Sequence, residues 1–424
     1  PRLTITHYDF YRLASADETH ELGLEEAAEN GAAIIEWPER VGALPTGSCY
    51  EIELSETADP AIRRVTMRGI GGAGTHVRRI DELMTFLDRQ PQWRGARIVY
   101  LQGDASTRSY ARLVRGRETV LLMDAPHQPD GPPIRDDKPY SRIAHLADDD
   151  MVRPFMAVGA VLQGAGLSAP AMPAFDLDKG LLLVEDLGDR AFGREIAAGA
   201  SQLQLWRAAV DALIALRAVP VPASLPLPDG TGYTLPRRDR DAFEIEIELL
   251  LDWYWPALSG EPVPQDVRAE FGALWAPVLD RMLALPGGWF LRDYHSPNLF
   301  WLPERQGIAR VGIIDFQDAL NEHFAFDLVS LLQDARVTVP KELEAELFAH
   351  YCTEIARREP AFDRAAFAAA YADLERDGKP QYLQHIPRTW GYLARNLRAP
   401  ALAALQAWYD RHFPPDVRGK TLLR

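Results

Sequence analysis

The stretch Trp289-Phe290-Leu291-Arg292-Asp293-Tyr294-His295-Ser296-Pro297-Asn298-Leu299-Phe300 is followed, after the strand-like run Val311-Gly312-Ile313-Ile314, by Asp315-Phe316-Gln317-Asp318. No other part of the chain restricts the possible folds as much. Asn298 lies five residues after Asp293, and Asp315 lies 17 after Asn298. Phosphoryl transfer needs an acceptor for the proton of an attacking hydroxyl and cations held on the phosphates. A loop carboxylate can take the proton. An amide oxygen from the same loop and a carboxylate at the end of the next strand can hold a divalent ion. Asp293 is therefore the candidate general base, with Asn298 and Asp315 as candidate Mg2+ ligands. The plainer reading makes Asp293 a turn residue, Asn298 a loop cap and Asp315 a helix N-cap. It does not explain why all three fall between strands of one block.

Composition excludes several other classes. The 424 residues are 47% hydrophobic and 25% charged. No apolar run approaches the roughly 20 residues of a bilayer-spanning helix, and no signal peptide opens the sequence. A formal charge of −15 disfavours direct nucleic-acid binding. Two cysteines, Cys49 and Cys352, exclude a disulfide scaffold and a four-cysteine zinc site. These features fit a cytoplasmic protein. Lysine occurs only at 138, 179, 341, 379 and 420, so basic charge in the first 137 residues is entirely arginine. The sequence opens on Pro1 directly in a strand-like run, which suggests that residues precede it in the natural protein.

Residues 1–70 read as a small α/β unit: strands near 3–8, 32–37, 49–54 and 62–68, and a helical stretch at 16–29. Glycine-rich sequence follows, giving an expected linker over 71–76. From 77 a helix, three strand-like runs, a Pro-rich loop at 125–139, a helix at about 148–164 and a hairpin form a sheet-rich lobe to residue 188. Residues 189–424 are mainly helical. The expected class is α+β, a small sheet-rich lobe and a large helical lobe, with a partial α/β unit in front.

The blocks Gly103-Asp104-Ala105-Ser106-Thr107-Arg108-Ser109-Tyr110, Val120-Leu121-Leu122-Met123-Asp124-Ala125-Pro126 and Leu182-Leu183-Val184-Glu185-Asp186-Leu187-Gly188-Asp189 precede the loop described above. With that loop, and with Phe326-Asp327-Leu328 after it, residues 77–424 resemble the aminoglycoside phosphotransferase / choline kinase family, and within it the bacterial N-acetylmuramate/N-acetylglucosamine anomeric kinases of cell-wall recycling. The resemblance implies a bilobal protein-kinase-like fold and ATP as co-substrate with Mg2+. Gly103, Asp104, Ala105, Ser106, Thr107 and Arg108 would fold over the triphosphate. Glu185, Asp186 and Leu187 would form the adenine-reading hinge, at about 185–188. The acceptor would be a small-molecule hydroxyl, that of an amino sugar; aminoglycoside- and choline-type acceptors are the alternatives within the class. A non-catalytic nucleotide-binding scaffold is the alternative of another class.

Two departures stand out. Kinases place a lysine on the third strand of the small lobe to hold the phosphates, and none precedes residue 138. Arg108 is the expected replacement, with Arg112 second. Leu291 stands where relatives carry histidine before the Arg-Asp or Gly-Asp pair. His295 either orders the loop or approaches substrate, and Asp318 either supports the metal or caps the next segment. Tyr233, Trp253, Tyr254 and Trp255 could stack on a sugar or simply pack between helices.

Residues 1–69 resemble the C-terminal half of the bacterial ATPase subunit of tRNA threonylcarbamoyladenosine synthesis, through His7-Tyr8-Asp9-Phe10-Tyr11-Arg12-Leu13, Leu22-Gly23-Leu24-Glu25-Glu26 and Ile34-Ile35-Glu36-Trp37-Pro38-Glu39-Arg40. That resemblance implies that Asp9 and Glu36 would face a metal and water, that Trp37 would lie near a nucleotide, and that protein partners could dock on this unit. The phosphate-cradling G-x-x-x-x-G-K-[ST] is absent from the sequence, so this segment is expected to be inactive as an ATPase.

Overall fold

The computed structural model describes residues 4–13, 22–40, 48–101, 108–127, 129–144, 146, 152–374, 397, 402–414 and 417–418. The chain divides into two compact units, residues 1–94 and 95–424.

In the first unit β1 (Thr4–Asp9) and β2 (Gly31–Glu36) pair in parallel, connected through α1 (Leu24–Asn30). Phe10 and Leu24 are its buried centre, with Tyr8, Leu13, Ala33 and Ile35 around them. β3 (Cys49–Glu56) and β4 (Arg63–Ile70) form an antiparallel hairpin. Helix α2 (Ala73–Asp88) packs on β4. The stretch expected as a linker, 71–76, is therefore a tight turn, with Gly71 at φ 60°, followed by the first turn of α2. Glycines suit a turn and a linker equally, and the apolar stripe that follows favoured helix from Ala73 on. The helix expected at the front of the sheet-rich lobe thus belongs to the first unit.

The second unit opens with a five-stranded antiparallel sheet in the order β10-β11-β7-β6-β5, where β5 is Arg97–Tyr100, β6 Ser109–Arg115, β7 Glu118–Asp124, β10 Ala174–Asp176 and β11 Leu181–Glu185. Between β7 and the helix that backs the sheet lie β8 (Pro133–Arg135), β9 (Lys138–Pro139) and α3 (Tyr140–Ala144). The backing helix, α4 (Val152–Gly164), is buried along most of its length. Gly159 lets it approach closely: an added Cβ would lie 2.8 Å from Met172 and 3.3 Å from the ring of Phe316. α5 (Phe192–Ala197) and α6 (Gln202–Arg217) begin the helical lobe. A short pair, β12 (Leu225–Pro226) and β13 (Gly232–Tyr233), precedes α7 (Arg240–Leu249), α8 (Trp255–Ser259) and α9 (Gln265–Leu283).

Two antiparallel pairs are then inserted between helices. β14 (Trp289–Phe290) joins β17 (Leu320–Asn321), and β15 (Leu299–Trp301) joins β16 (Val311–Ile313). α10 (Ala325–Leu332), α11 (Lys341–Arg358), α12 (Arg364–Leu374) and α13 (Ala403–His412) complete the described chain. One hydrophobic core runs from Met123 and Leu182 in the sheet through Trp206 and Trp289 to Trp408. Among the described residues no helix is long and apolar enough to cross a membrane. Tyr254 and Trp255 pack against Phe413, and Trp255 also against His412, so these two rings serve helix packing; Trp253 is exposed.

His323, between β17 and α10, is buried beside Phe367 and near Arg217. Burial, reinforced by the Arg217 charge, lowers its pKa to about 4. The unfolded chain binds this proton near the ordinary imidazole value of 6.5 and the folded chain does not until about 4. Stability is therefore lost as pH falls from 6.5 towards 4, by roughly 3 kcal/mol from this group. Urea unfolding across that range should show the loss in the wild type and a flatter profile in His323→Phe.

Candidate active site

Pairing of β14 with β17 and of β15 with β16 brings the loop 291–298 and the segment 314–319 together. Asn298 joins them. Its Nδ2 donates to the Asp293 carbonyl at 3.0 Å and to Asp315 Oδ2 at 3.3 Å. The Ile314 N–H returns a bond to the Asn298 carbonyl at 3.0 Å. The candidate base and both candidate metal ligands thus belong to one site. With Nδ2 so engaged, the remaining amide oxygen of Asn298 is the atom suited to a cation. Mg2+ keeps waters and phosphate oxygens as most of its ligands, so one amide and one carboxylate are a chemically adequate protein contribution. Among the described residues no group of three or more His, Cys, Asp or Glu forms a separate metal cluster.

Two residues of the site have positive φ without being glycine: Arg292 at 74° and Asp315 at 61°. Each costs on the order of 1–3 kcal/mol and persists only when its surroundings over-determine it. For Arg292 the buried Asp327 does so, accepting from the Leu291 N–H at 2.7 Å and the Arg292 N–H at 3.2 Å. The Arg292 guanidinium donates to Glu246 Oε1 at 2.8 Å and to the Ala144 carbonyl at 3.2 Å. For Asp315 the next residue anchors the bend: Phe316 is fully buried and stacks on Phe155 of α4 with ring centroids 4.8 Å apart. Farther along, Asp334 accepts from the Ser296 N–H at 2.7 Å and Tyr294 donates to the Ala209 carbonyl at 2.9 Å. Asp327 and Asp334 are positioning residues that inspection of the loop alone does not reveal. Each lies more than thirty residues away; Asp327 stands inside a block that resembles the family, but nothing local marks it as the loop's anchor.

Sequence and geometry together decide the family. Residues 97–367 match the profile of the phosphotransferase enzyme family. The chain belongs to that family. Among its curated relatives, the N-acetylmuramate/N-acetylglucosamine kinase of Caulobacter vibrioides is 41% identical over 342 residues, covering 75% of this chain and 92% of that protein. The protein of the same name from Pseudomonas aeruginosa is 29% identical, covering 73% and 87%. Residues 1–65 match the profile of the threonylcarbamoyl adenosine biosynthesis protein TsaE. The tRNA threonylcarbamoyladenosine biosynthesis protein TsaE of Rickettsia prowazekii is 43% identical over 54 residues, which cover 13% of this chain and 38% of that protein.

In this phosphotransferase the remaining sequence candidates fall into distinct places. Residues 103–107 lie outside the described residues. Arg108 reaches Asp315 Oδ1 at 2.7 Å. Its pKa is raised: burial acts to lower it, but the charges and hydrogen bonds around it, Tyr110 and Asp315 foremost, outweigh that effect. Arg112, expected as a second phosphate contact, is instead held by Asp186 at 2.7 Å and Asp189 at 3.2 Å. Two carboxylates already meet its charge, so its role is to tie β6 to the chain after β11. Asp186 is thereby a structural partner, and it also accepts from the Gly188 N–H at 3.1 Å. Glu185 pairs with Arg305 at 2.5 Å and accepts from the Ala171 N–H, while its own N–H donates to the Ala171 carbonyl. Leu187 is buried.

His295 takes Arg336 Nη1 on Nδ1 at 2.7 Å and lies 3.8 Å from Asp293 Oδ1, so loop ordering is the role its contacts support. Asp318 accepts from Gln317 Nε2 at 2.9 Å, and the same amide reaches Asp315 Oδ1 at 3.0 Å. Leu291 is buried in the core, which suits its apolar side chain. In the first unit Asp9 and Glu36 are register partners at the C-terminal ends of β1 and β2. Glu36 pairs with His7 at 3.1 Å, Asp9 accepts from the Tyr11 N–H, and Trp37 packs against Tyr11.

Removing Asp327 leaves two buried N–H groups without their acceptor, at about 1–3 kcal/mol each. Asp327→Ala should lower the urea midpoint substantially, and Asp327→Asn, which keeps one acceptor oxygen, should lower it less.

Proposed function

We propose that this protein is an ATP- and Mg2+-dependent kinase that phosphorylates the anomeric hydroxyl of an N-acetylated amino sugar, N-acetylmuramate or N-acetylglucosamine. The observation that carries the reading is the Asn298 amide bridging the loop of Asp293 and the carboxylate of Asp315. The names and near-complete coverage of the curated relatives support the sugar class. Asp293 accepts the proton of the sugar hydroxyl as its oxygen attacks the terminal phosphorus, and ADP leaves. Asn298 and Asp315 would hold Mg2+, which when bound neutralises phosphate charge. Arg108 neutralises Asp315 in the absence of nucleotide and is within reach of the phosphates when they arrive, the part a lysine plays in other kinases. Free, unpaired cysteines accord with a cytoplasmic setting.

The N-terminal unit is similar to part of the TsaE protein. It carries the paired acids Asp9 and Glu36 at adjacent strand ends, and we infer that they would face a metal and water.

An ADP-release assay with N-acetylmuramate, N-acetylglucosamine, kanamycin and choline tests the reading. Sugar-stimulated turnover that EDTA abolishes is expected; stimulation by choline or kanamycin alone would remove it. Asp293→Asn should lower kcat by about 10²–10⁴. Arg108→Ala should raise the ATP KM about tenfold, the worth of one charge-assisted hydrogen bond; an unchanged value removes Arg108 from the phosphate site.

A further inference from the structure

Arg292 stands directly before the candidate base at φ 74°, a backbone that glycine would adopt without strain. The arginine found there makes contacts that glycine could not. It is buried, and its Nη2 donates to Glu246 Oε1 of α7 at 2.8 Å and to the Ala144 carbonyl of α3 at 3.2 Å. Its Nη1 is buried without an acceptor among the described residues. Among those residues Glu246 is the one carboxylate that pairs with this guanidinium.

Glu246 is itself shared between two arginines. Its Oε2 accepts from Arg238 Nη1 at 3.2 Å. The buried Glu322 accepts from the Arg238 backbone N–H at 2.9 Å and lies 3.9 Å from its guanidinium. That guanidinium also sits over the rings of Phe243 and Phe326, 4.1 Å and 4.4 Å from their centroids. Phe243 belongs to α7, and Phe326 adjoins Asp327, which holds the loop's backbone. Two buried guanidiniums are thus met by two carboxylates. Removing one member of such a group leaves a buried charge uncompensated.

We propose that Glu246 is a positioning residue for phosphoryl transfer, acting through Arg292 on the direction in which Asp293 is presented. The proposal rests on Asp293 being the base, as in the reading above. Asp327 of α10 fixes the N–H groups of Leu291 and Arg292, and Glu246 of α7 fixes the side chain between them and the base. Backbone and side chain of one residue are therefore held from two separate helices. A displacement of about 1 Å at a reacting group can cost about 10²-fold in rate. The Arg292 side chain runs to α3 and α7 rather than to Arg108, Asn298 or Asp315, so loosening it should lower kcat and spare both KM values.

A double-mutant cycle of Glu246→Gln and Arg292→Met on the full chain, with ATP and the amino sugar varied separately, tests it. Glutamine keeps one acceptor but turns an amide N–H towards a guanidinium. Methionine bears the same positive φ as arginine, so backbone strain cancels between the variants. Glu246→Gln should lower kcat about tenfold with both KM values within about twofold, and should lower it no further in the Arg292→Met background. Glu322→Gln disturbs the same buried charges without touching Arg292; it should lower Tm and leave kcat within about twofold. An unchanged kcat in Glu246→Gln, an equal loss in both backgrounds, or a matching loss in Glu322→Gln makes the role merely structural and overturns the proposal. Should Glu246→Gln not fold, Glu246→Asp, which keeps the charge one methylene short, replaces it in the cycle. Where neither folds, Arg292→Met decides alone, and an unchanged kcat there overturns the proposal. A wild type that turns over no amino sugar, or an Asp293→Asn variant as active as the wild type, removes the functional reading, and this proposal with it.

Discussion

A buried carboxylate holds the catalytic loop in place. Asp327 accepts from two successive N–H groups, those of Leu291 and Arg292. Two adjacent amides can converge on one carboxylate only if the backbone bends sharply between them, and the bend appears as φ 74° at Arg292. The loop strain is thus offset by charge-assisted hydrogen bonds in a buried site, where such bonds are strong and their loss costly. Asp293 follows directly and inherits its direction from that bend. Asp334 repeats the device on Ser296, and the strand pair β15–β16 returns the chain to Asp315.

The basic charge of the sheet-rich lobe is met by a different economy from that of most kinases. With no lysine before residue 138, the basic charge there is all arginine. Arg108 and Arg112 lie four residues apart on either side of Tyr110 yet diverge. Arg108 faces Asp315, and Arg112 faces Asp186 and Asp189 beyond β11. The planar guanidinium suits both tasks: it can bind a carboxylate now and a phosphate later without changing protonation. A lysine in place of Arg112 could not reproduce the contacts its separate nitrogens make with two carboxylates.

That Asp293, Asn298 and Asp315 come together was legible in the sequence because they sit within one loop-strand-loop block, where spacing is itself geometry. The strands and the helix α4 were legible for a similar reason, as periodicity reports local burial. What supports the site was not legible. The partner of Arg112 lies 74 residues away, and no local pattern separates an arginine that meets phosphate from one that meets aspartate. Residues 125–139 read as a Pro-rich loop because β8 and β9 are too short to show alternation, and α3 is stabilised by Ile245, a residue of another element. The glycines at 71–74 read as a linker because composition cannot tell a turn from a spacer. Tertiary contact overrode local propensity in each case.

The two units carry similar acidic pairs with unequal prospects. Asp9 and Glu36 end adjacent parallel strands, the edge of an α/β sheet where ligands gather. In the second unit the Asn298 amide joins the backbone of Asp293 to the Asp315 carboxylate, and the half-buried Arg108 pairs with that carboxylate. In the first, Glu36 pairs with His7, and both side chains are more than half exposed. A triphosphate brings several negative charges, and two exposed carboxylates repel it unless backbone N–H groups and a fixed cation oppose them. Solvent exposure weakens any such field further. Around Asp315 the amide of Asn298 and the guanidinium of Arg108 supply the donors and the positive charge that could oppose the charge of a triphosphate.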